Sequence, residues 1–506
     1  MRKILKRIGR VFLLRFETGA VLKLHTLNNA ATQLLPLQNS IKIAIVAIVG
    51  ALAIVFSINY ATYGAPGPKA ATEPIGSDIA PAANATSVDL IPDPSTQQKK
   101  REVVLTAILT GDRWDALLKK AEERYESRHP DTDLKVEATI VSYDESRSKL
   151  LESLRNGTSV DFISLDQIWL GEFADEGLLV DISTRTEAWG RASDWYQANW
   201  DGGLHNGRVY AVWAWTDVRG MWYWKDMLQR ADVDPSSLRT WDGYIESSKK
   251  LRAALGDDVI EPIHLVGADH SPDMWYPYLW MLGGNILEQR EGHPTKGAYW
   301  FPAYNGTEGV RALEFLKDQV DAGIVPQREH NWGSEFANRS FTVMLEGSWL
   351  PGEFSPEARE DFEANVGFLP LFPVPHEGEA SATLMGGWLF AIPQASNNKE
   401  GAWEFLTTML EPDVITTILK QDGYLPTQIP IGEGKYAPAM RDSLVYYDEL
   451  TSMLSIGRVR PNIVEYPEIA GHIRDAINEV YSGEKLPQQA LDDAAARSAE
   501  SLGWLT

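Results

Sequence analysis

The stretch Val209–Leu228, VYAVWAWTDVRGMWYWKDML, constrains the fold of the whole chain more than any other. Four of its twenty residues are Trp, at 213, 215, 222 and 224. Two β-rich runs, Val209–Trp215 and Gly220–Trp224, flank a polar knot of Thr216, Asp217, Val218 and Arg219. Alternation along each run sends one set of rings into a core and the other onto an open face. A polar knot between two apolar strands suits a chain leaving one compact body and entering another. The stretch therefore reads as a hinge that also lines a cleft. A Trp-rich core strand with a turn is the competing reading, since Trp is usually mostly buried.

The segments before it define one such body. Val103–Leu109 has strand composition, and Trp114, Leu117, Leu118, Ala121 and Tyr125 follow at helical spacing. Lys135–Val141 reads as a strand, Asp144–Arg155 as a helix and Val160–Leu165 as a third strand. This β-α-β-α-β order implies a parallel sheet, in which ligands bind outside the carboxyl ends of strands. Asp112 and Asp166 sit at two such ends, although a helix N-cap or loop role explains either one equally well. Beyond the central stretch, SPDMWYPYLWMLGGNIL (271–287) reads as an aromatic helix. Its Trp275 lies near the helix start, where it could face a cleft. FANRSFTVMLEGSWL (336–350) is a strand-like run ending in Glu346-Gly347-Ser348-Trp349, and residues 436–502 read as mostly helical.

At 506 residues the chain suits two or three domains. Residues 1–42 hold eight Lys/Arg and one acid, a charge of +7, so the remainder carries −30 of the net −23. A body that acidic repels nucleic acid and anionic lipid. The absence of Cys excludes disulfides, thiolate metal sites and a Cys nucleophile. Residues 41–60, IKIAIVAIVGALAIVFSINY, are long and apolar enough to span a bilayer as a helix. The basic excess before them predicts a cytoplasmic N-terminus and an extracytoplasmic body. The long preceding segment and the lack of an A-x-A-like site favour an uncleaved anchor over a signal peptide. Residues 61–100, with six Pro, read as a linker.

An ordered series of motifs then carries a resemblance. VDFISLDQIWLGEFADEGLLVDIS is followed by GRVYAVWAWTDVRGMWYWKDML with TWDGYIESSKKL, then WMLGGNIL, FTVMLEGSW and MGGWLFAIPQASNNKEGAWEFL with DGYLPT. In this order and spacing, Val103–Leu502 resembles the extracellular solute-binding proteins of ABC importers, in the sugar-binding group that includes maltose-binding protein. The resemblance implies an α/β, two-lobed periplasmic-binding-protein-like fold with a hinge and central cleft, here preceded by the membrane helix and linker. The segments before Val103 divide, from their composition, into a basic cytoplasmic segment 1–40, anchor 41–60 and linker 61–100, the membrane helix standing where the family usually has a lipidated Cys. A first lobe would span 101–216 with a return over 366–412, and a second 217–365 with 413–506. It implies closure on a ligand that is handed to membrane permease subunits.

Carried over by position, Trp169 resembles the aromatic after the third strand, and Trp349 the aromatic that ends the motif with Gly347. Trp388 resembles the residue after the paired Gly at the site, Asp217 a polar residue at the crossing, and Tyr466 a further cleft residue. Trp213 and Trp224 depart from the family, which has Pro and Asn at those places, and put the local turn geometry in question. The flanking motifs divide the aromatics of the central stretch. Trp215, with Trp213 as a second candidate, goes to the cleft, and Trp222 and Trp224 pack the second lobe.

Sugars present apolar faces edged with hydroxyls, so flat aromatics beside carboxylates suit them. Asp112, Asp166, Asp217 and Glu346 are the candidate hydroxyl acceptors, and most of the eighteen Trp are assigned to structure. The expected ligand is a carbohydrate, with no cofactor, no metal and no catalytic residue. Two other classes stand beside this one: a membrane-anchored carbohydrate-active enzyme using paired carboxylates, and a tethered receptor for a non-sugar ligand such as a peptide. No H-E-x-x-H, G-x-S-x-G or phosphate-loop motif occurs.

Overall fold

The computed structural model describes residues 100–111, 113–256, 271–324 and 332–504. The expected anchor, residues 61–99 of the linker and Asp112 lie outside the described residues. Among those residues, no helix is long and apolar enough to cross a membrane.

Thirteen strands occur in the described residues. They are β1 (Arg101–Thr110), β2 (Thr132–Val141), β3 (Phe162–Asp166), β4 (Leu204–His205), β5 (Arg208–Val209) and β6 (Ala211–Trp224). After them come β7 (Leu287–His293), β8 (Gly297–Pro302), β9 (Val343–Gly347), β10 (Val366–Leu369), β11 (Thr383–Ala391), β12 (Leu425–Pro426) and β13 (Gly457–Arg458). Nine of them form one sheet in the order β10-β6-β11-β3-β1-β2, with β9 and β12 also pairing β6 and β13 pairing β11. β1 pairs β2 and β3 in parallel, with helices Asp115–Arg128 and Tyr143–Arg155 as the crossovers. The first five expected elements are therefore present in the expected order.

The central stretch differs from its expectation. It is one continuous strand, β6, and every residue in it except Tyr223 is buried. The polar residues do not break it because their groups are satisfied across the sheet. Thr216 Oγ1 donates to Gly386 O at 2.7 Å, and Arg219 exchanges backbone hydrogen bonds with the Thr383 hydroxyl at 3.1 and 2.6 Å. The strand partners of β6 change along its length. Residues 211–218 pair with β11, whereas 219–224 pair with β9 and β10.

A register shift between Trp388 and Leu389 leaves Ala214 as the extra residue of a β-bulge. The bulge breaks the alternation, so Trp213 and Trp215 face opposite sides of the sheet and join different core clusters. Trp213 is fully enclosed, donating its indole N–H to Trp215 O at 2.7 Å. It needs Gly387 beside it: at φ +153°, a Cβ there would lie 2.0 Å from the Trp213 indole nitrogen. Trp222 and Trp224 are buried against Phe362, Phe368 and Phe336. Each such burial contributes about 2–3 kcal/mol from apolar area.

Helices Tyr466–Tyr481 and Pro487–Ser501 pack on each other and on helix Thr307–Asp321. Helices Lys399–Met409 and Pro412–Asp422 pack instead on Asp115–Arg128, where Lys120 donates to Asp413 O and Arg124 pairs with the Asp413 carboxylate.

Candidate functional site

The carboxyl ends of β1 and β3, the middle of β6 and the end of β9 converge on one cavity of about 450 Å³. A second, larger groove of about 890 Å³ lies across Arg460, beside Trp280 and Trp300. The first is the stronger candidate because it collects the buried charges.

Its floor is a chain of buried ion pairs. Tyr143 donates to Asp166 Oδ2 at 2.7 Å, and Arg460 reaches Asp166 Oδ1 at 3.2 Å and Asp273 Oδ2 at 3.1 Å. Arg219 continues the chain to Asp273 at 3.1 Å and to Asp217 at 3.3 Å. All five charged groups are less than a tenth exposed. Such pairs are maintained by geometry rather than by net attraction, since desolvation offsets most of the Coulomb gain. Burial works against the Arg460 charge, but Asp273 and Asp166 outweigh it and hold the guanidinium protonated. Burial likewise raises Asp273, against the pull of Arg460 and Arg219. It carries Asp217 up to about 6 and Glu346 to about 7, although Arg219 draws both down. The Glu346 carboxylate accepts from Gly347 N at 2.7 Å.

The walls are aromatic. Trp349 and Trp388 are half-buried, each leaving part of a ring to the cavity. Arg219 lies under the Trp349 ring at 5.1 Å, a cation–π contact. Trp349 folds back over Gly347, where a Cβ would meet its ring at 2.0 Å. Trp388 stands edge-on to Tyr143 at 6.0 Å. On the opposite side Trp215 stacks on Tyr424 at 5.2 Å and touches Trp114 at 5.4 Å. The Trp215 indole N–H is buried without a protein acceptor. Arg113 bridges Asp422, at 3.3 Å, and Gly352 O, at 2.5 Å, near the rim. Asp144 and Glu353 are exposed at the mouth. Among the described residues, seven carboxylates and three guanidiniums line the cavity.

Of the residues expected from sequence, Asp166, Trp215, Asp217, Glu346, Trp349 and Trp388 are brought together here. Asp166 lines the cavity and its Oδ1 also caps the turn Gln167–Trp169 through Ile168 N. Three expectations are corrected. Trp275 is fully buried in the core, packed on Tyr276 and Tyr304; Asp273, two residues earlier, is the member of that segment at the cavity. Tyr466 is fully buried with its hydroxyl donating to Tyr276, because helix Tyr466–Tyr481 turns it inward; Arg460 is the group that enters from the C-terminal segment. Trp169 lies one layer behind the wall, tilted on Tyr143 at 5.5 Å and edge-on to Trp388 at 6.2 Å.

The groups missed at the sequence level are Tyr143, Arg219, Asp273, Tyr424 and Arg460. Arg219 was visible in the polar knot, and Arg460 and Asp273 lay beside residues that were singled out. Among the described residues no group of three His, Cys, Asp or Glu is arranged to hold a metal ion.

The family model for bacterial extracellular solute-binding proteins matches residues 110–415, more than half of the chain. The arabinooligosaccharide-binding protein of Bacillus subtilis is 23% identical over 395 residues, covering 74% of this chain and 86% of its own. An ABC transporter solute-binding protein from Thermotoga lettingae, solved with α-D-tagatose, aligns with a TM-score of 0.68 at 23% identity. That alignment covers 79% of this chain and 100% of the neighbour. A maltose-bound protein from T. maritima gives 0.66 at 22% identity, over 78% and 99%. The chain belongs to the bacterial extracellular solute-binding protein family, built on the two-lobed periplasmic-binding-protein-like α/β fold.

Proposed function

We propose that this protein is a membrane-anchored extracytoplasmic binding protein that captures a carbohydrate by lobe closure and delivers it to an ABC permease. One observation carries the reading: the ring faces of Trp349 and Trp388 stand beside buried Asp217, Glu346 and Arg219 in a single cavity. Rings of this kind stack on the apolar face of a sugar, and carboxylates and guanidiniums exchange hydrogen bonds with its hydroxyls. The cavity volume falls in the range of small-molecule sites. The named ligands of the relatives, arabino-oligosaccharides, tagatose and maltose, support a saccharide of one or more rings.

In this reading β6 and β11 cross between the lobes. The first lobe takes 101–216 and returns over 366–412; helix Pro412–Asp422, expected in the second lobe, packs on Asp115–Arg128 and favours moving that last boundary to about residue 422. The second takes 217–365 and the C-terminal helices. Residues 41–60 anchor the chain in the bilayer, with 61–100 as the tether.

A thermal-shift screen of the purified full-length chain against mono- and oligosaccharides, polyols and peptides tests the proposal. A sugar at 100 times its dissociation constant should stabilise by about 2.7 kcal/mol. Stabilisation by peptides alone would make it a peptide receptor. Hydrolysis of the screened oligosaccharides would make it an enzyme.

A further inference from the structure

The groove across Arg460 has features of a site in its own right. Its volume of about 890 Å³ falls in the range of small-molecule sites and far exceeds the roughly 30 Å³ share of one water. Four segments supply its walls: residues 167–175 after β3, 198–206, 280–300 and 458–464. Arg460 borders both this groove and the cavity, yet only two of its three guanidinium nitrogens are engaged. Nη1 reaches Asp273 at 3.1 Å and Nη2 reaches Asp166 at 3.2 Å, whereas Nε has no partner among the described residues.

Two more polar atoms of its walls are in the same condition. Gln167 Oε1, on a side chain 1% exposed, and Asn462 Oδ1 are buried without a donor among the described residues. An unpaired buried polar atom costs about 1–3 kcal/mol, and three along one groove point to a partner supplied from outside the chain. The charged side chains of the groove, in contrast, have partners in the protein. His205 meets Asp175 at 2.9 Å, Lys296 meets Glu465 at 3.5 Å and Asp201 accepts from Gln197 at 2.7 Å. Arg458 donates to Asn285 at 2.6 Å and lies over the Trp280 ring at 5.1 Å.

The unpaired atoms are one donor and two acceptors, which fixes the chemistry of what would complete them. A hydroxyl serves both kinds, since it gives one hydrogen and accepts through two lone pairs. An anion would suit Arg460 Nε but oppose both amide oxygens, and an ammonium would do the reverse. Trp280, 6% exposed, and half-buried Trp300 add indole surface for the apolar face of a ring. We infer that this groove is a second ligand site, for a neutral polyhydroxylated molecule: a sugar ring or a polyol. The inference stands apart from the carbohydrate reading of the cavity, because Gln167, Asn462, Trp280 and Trp300 line the groove and not the cavity.

The experiment is calorimetry on the full-length chain with D-glucose, maltose, maltotriose and sorbitol, and with sulfate and methylammonium as charged probes. At least one neutral probe should show a binding step with a dissociation constant below about 1 mM that Trp300→Ala and Gln167→Leu each weaken by about tenfold or more. Gln167→Leu nearly keeps the side-chain volume while removing the unpaired oxygen, so it serves as the test if Trp300→Ala fails to fold. Hydrogen exchange should place that step by protecting amides in residues 280–300 and 458–464. A groove that takes sulfate or methylammonium but no neutral probe would overturn the inference, as would neutral probes whose every binding step is untouched by both variants. The second result would leave the carbohydrate reading of the cavity standing. A binding step confined to the groove, with no sugar bound at the cavity, would support the second site and overturn that reading instead.

Discussion

Glu346→Gln should stabilise the unliganded protein in a pH-dependent way. Glu346 is 6% exposed, and burial lifts its carboxyl from an ordinary 4.5 to about 7. A carboxyl raised in the folded state costs stability at pH above its folded value, and the cost is relieved as pH falls through that value. With about 1.4 kcal/mol per unit, the ionised side chain costs about 3 kcal/mol at about pH 8 and under about 1 kcal/mol at about pH 5. Gln keeps the shape and can still accept from Gly347 N, while removing the charge. Urea unfolding at the two pH values should show the variant about 2–3 kcal/mol more stable than wild type at the higher one, with the gap nearly closed at the lower one. Equal stability of the two proteins at both values would refute the claim that this carboxylate is buried at a cost. The same variant should lose ligand affinity, since the charge that destabilises the empty protein is the one offered to the ligand.

Arg460→Met removes the centre of the buried ion chain and leaves Asp166 and Asp273 without it; unfolding free energy should fall by about 3–5 kcal/mol, and a loss under 1 kcal/mol would mean that water already screens the chain. Gly387→Ala forces a Cβ into the Trp213 ring at a left-handed φ, so chemical denaturation should show a loss above about 1 kcal/mol, and none if β6 and β11 can separate. Saturating ligand should compact the protein in small-angle scattering, and an unchanged radius would count against lobe closure.

Much of the architecture was legible because it is local. The alternation of strands and helices from β1 to β3 is written in short-range periodicity, and the motif order placed the family. β6 was misjudged in its middle because Thr216, Asp217 and Arg219 look like a break in sequence. In three dimensions their partners, Gly386 O, Thr383 and Asp273, come from segments far along the chain. The bulge at Ala214 defeated a period-two reading in the same way, by turning Trp213 away from the face of Trp215. The ion chain was invisible for a related reason: Arg460 and Asp273 are 187 residues apart, and Arg460 and Asp166 are 294 apart. Trp275 lies near a helix start and Tyr466 matches a cleft position of the family, yet helix phase turns both into the core and leaves the nearby charged residues Asp273 and Arg460 facing the cavity.

Titration calorimetry of wild type, Trp349→Ala and Trp388→Ala with the sugar that most raises the Tm tests the central claim most directly. Each ring is half-buried and faces the cavity, so each truncation should weaken binding by roughly 1–3 kcal/mol, or about 5- to 150-fold, while stability falls by less. Unchanged affinity in both variants would contradict carbohydrate capture in this cavity.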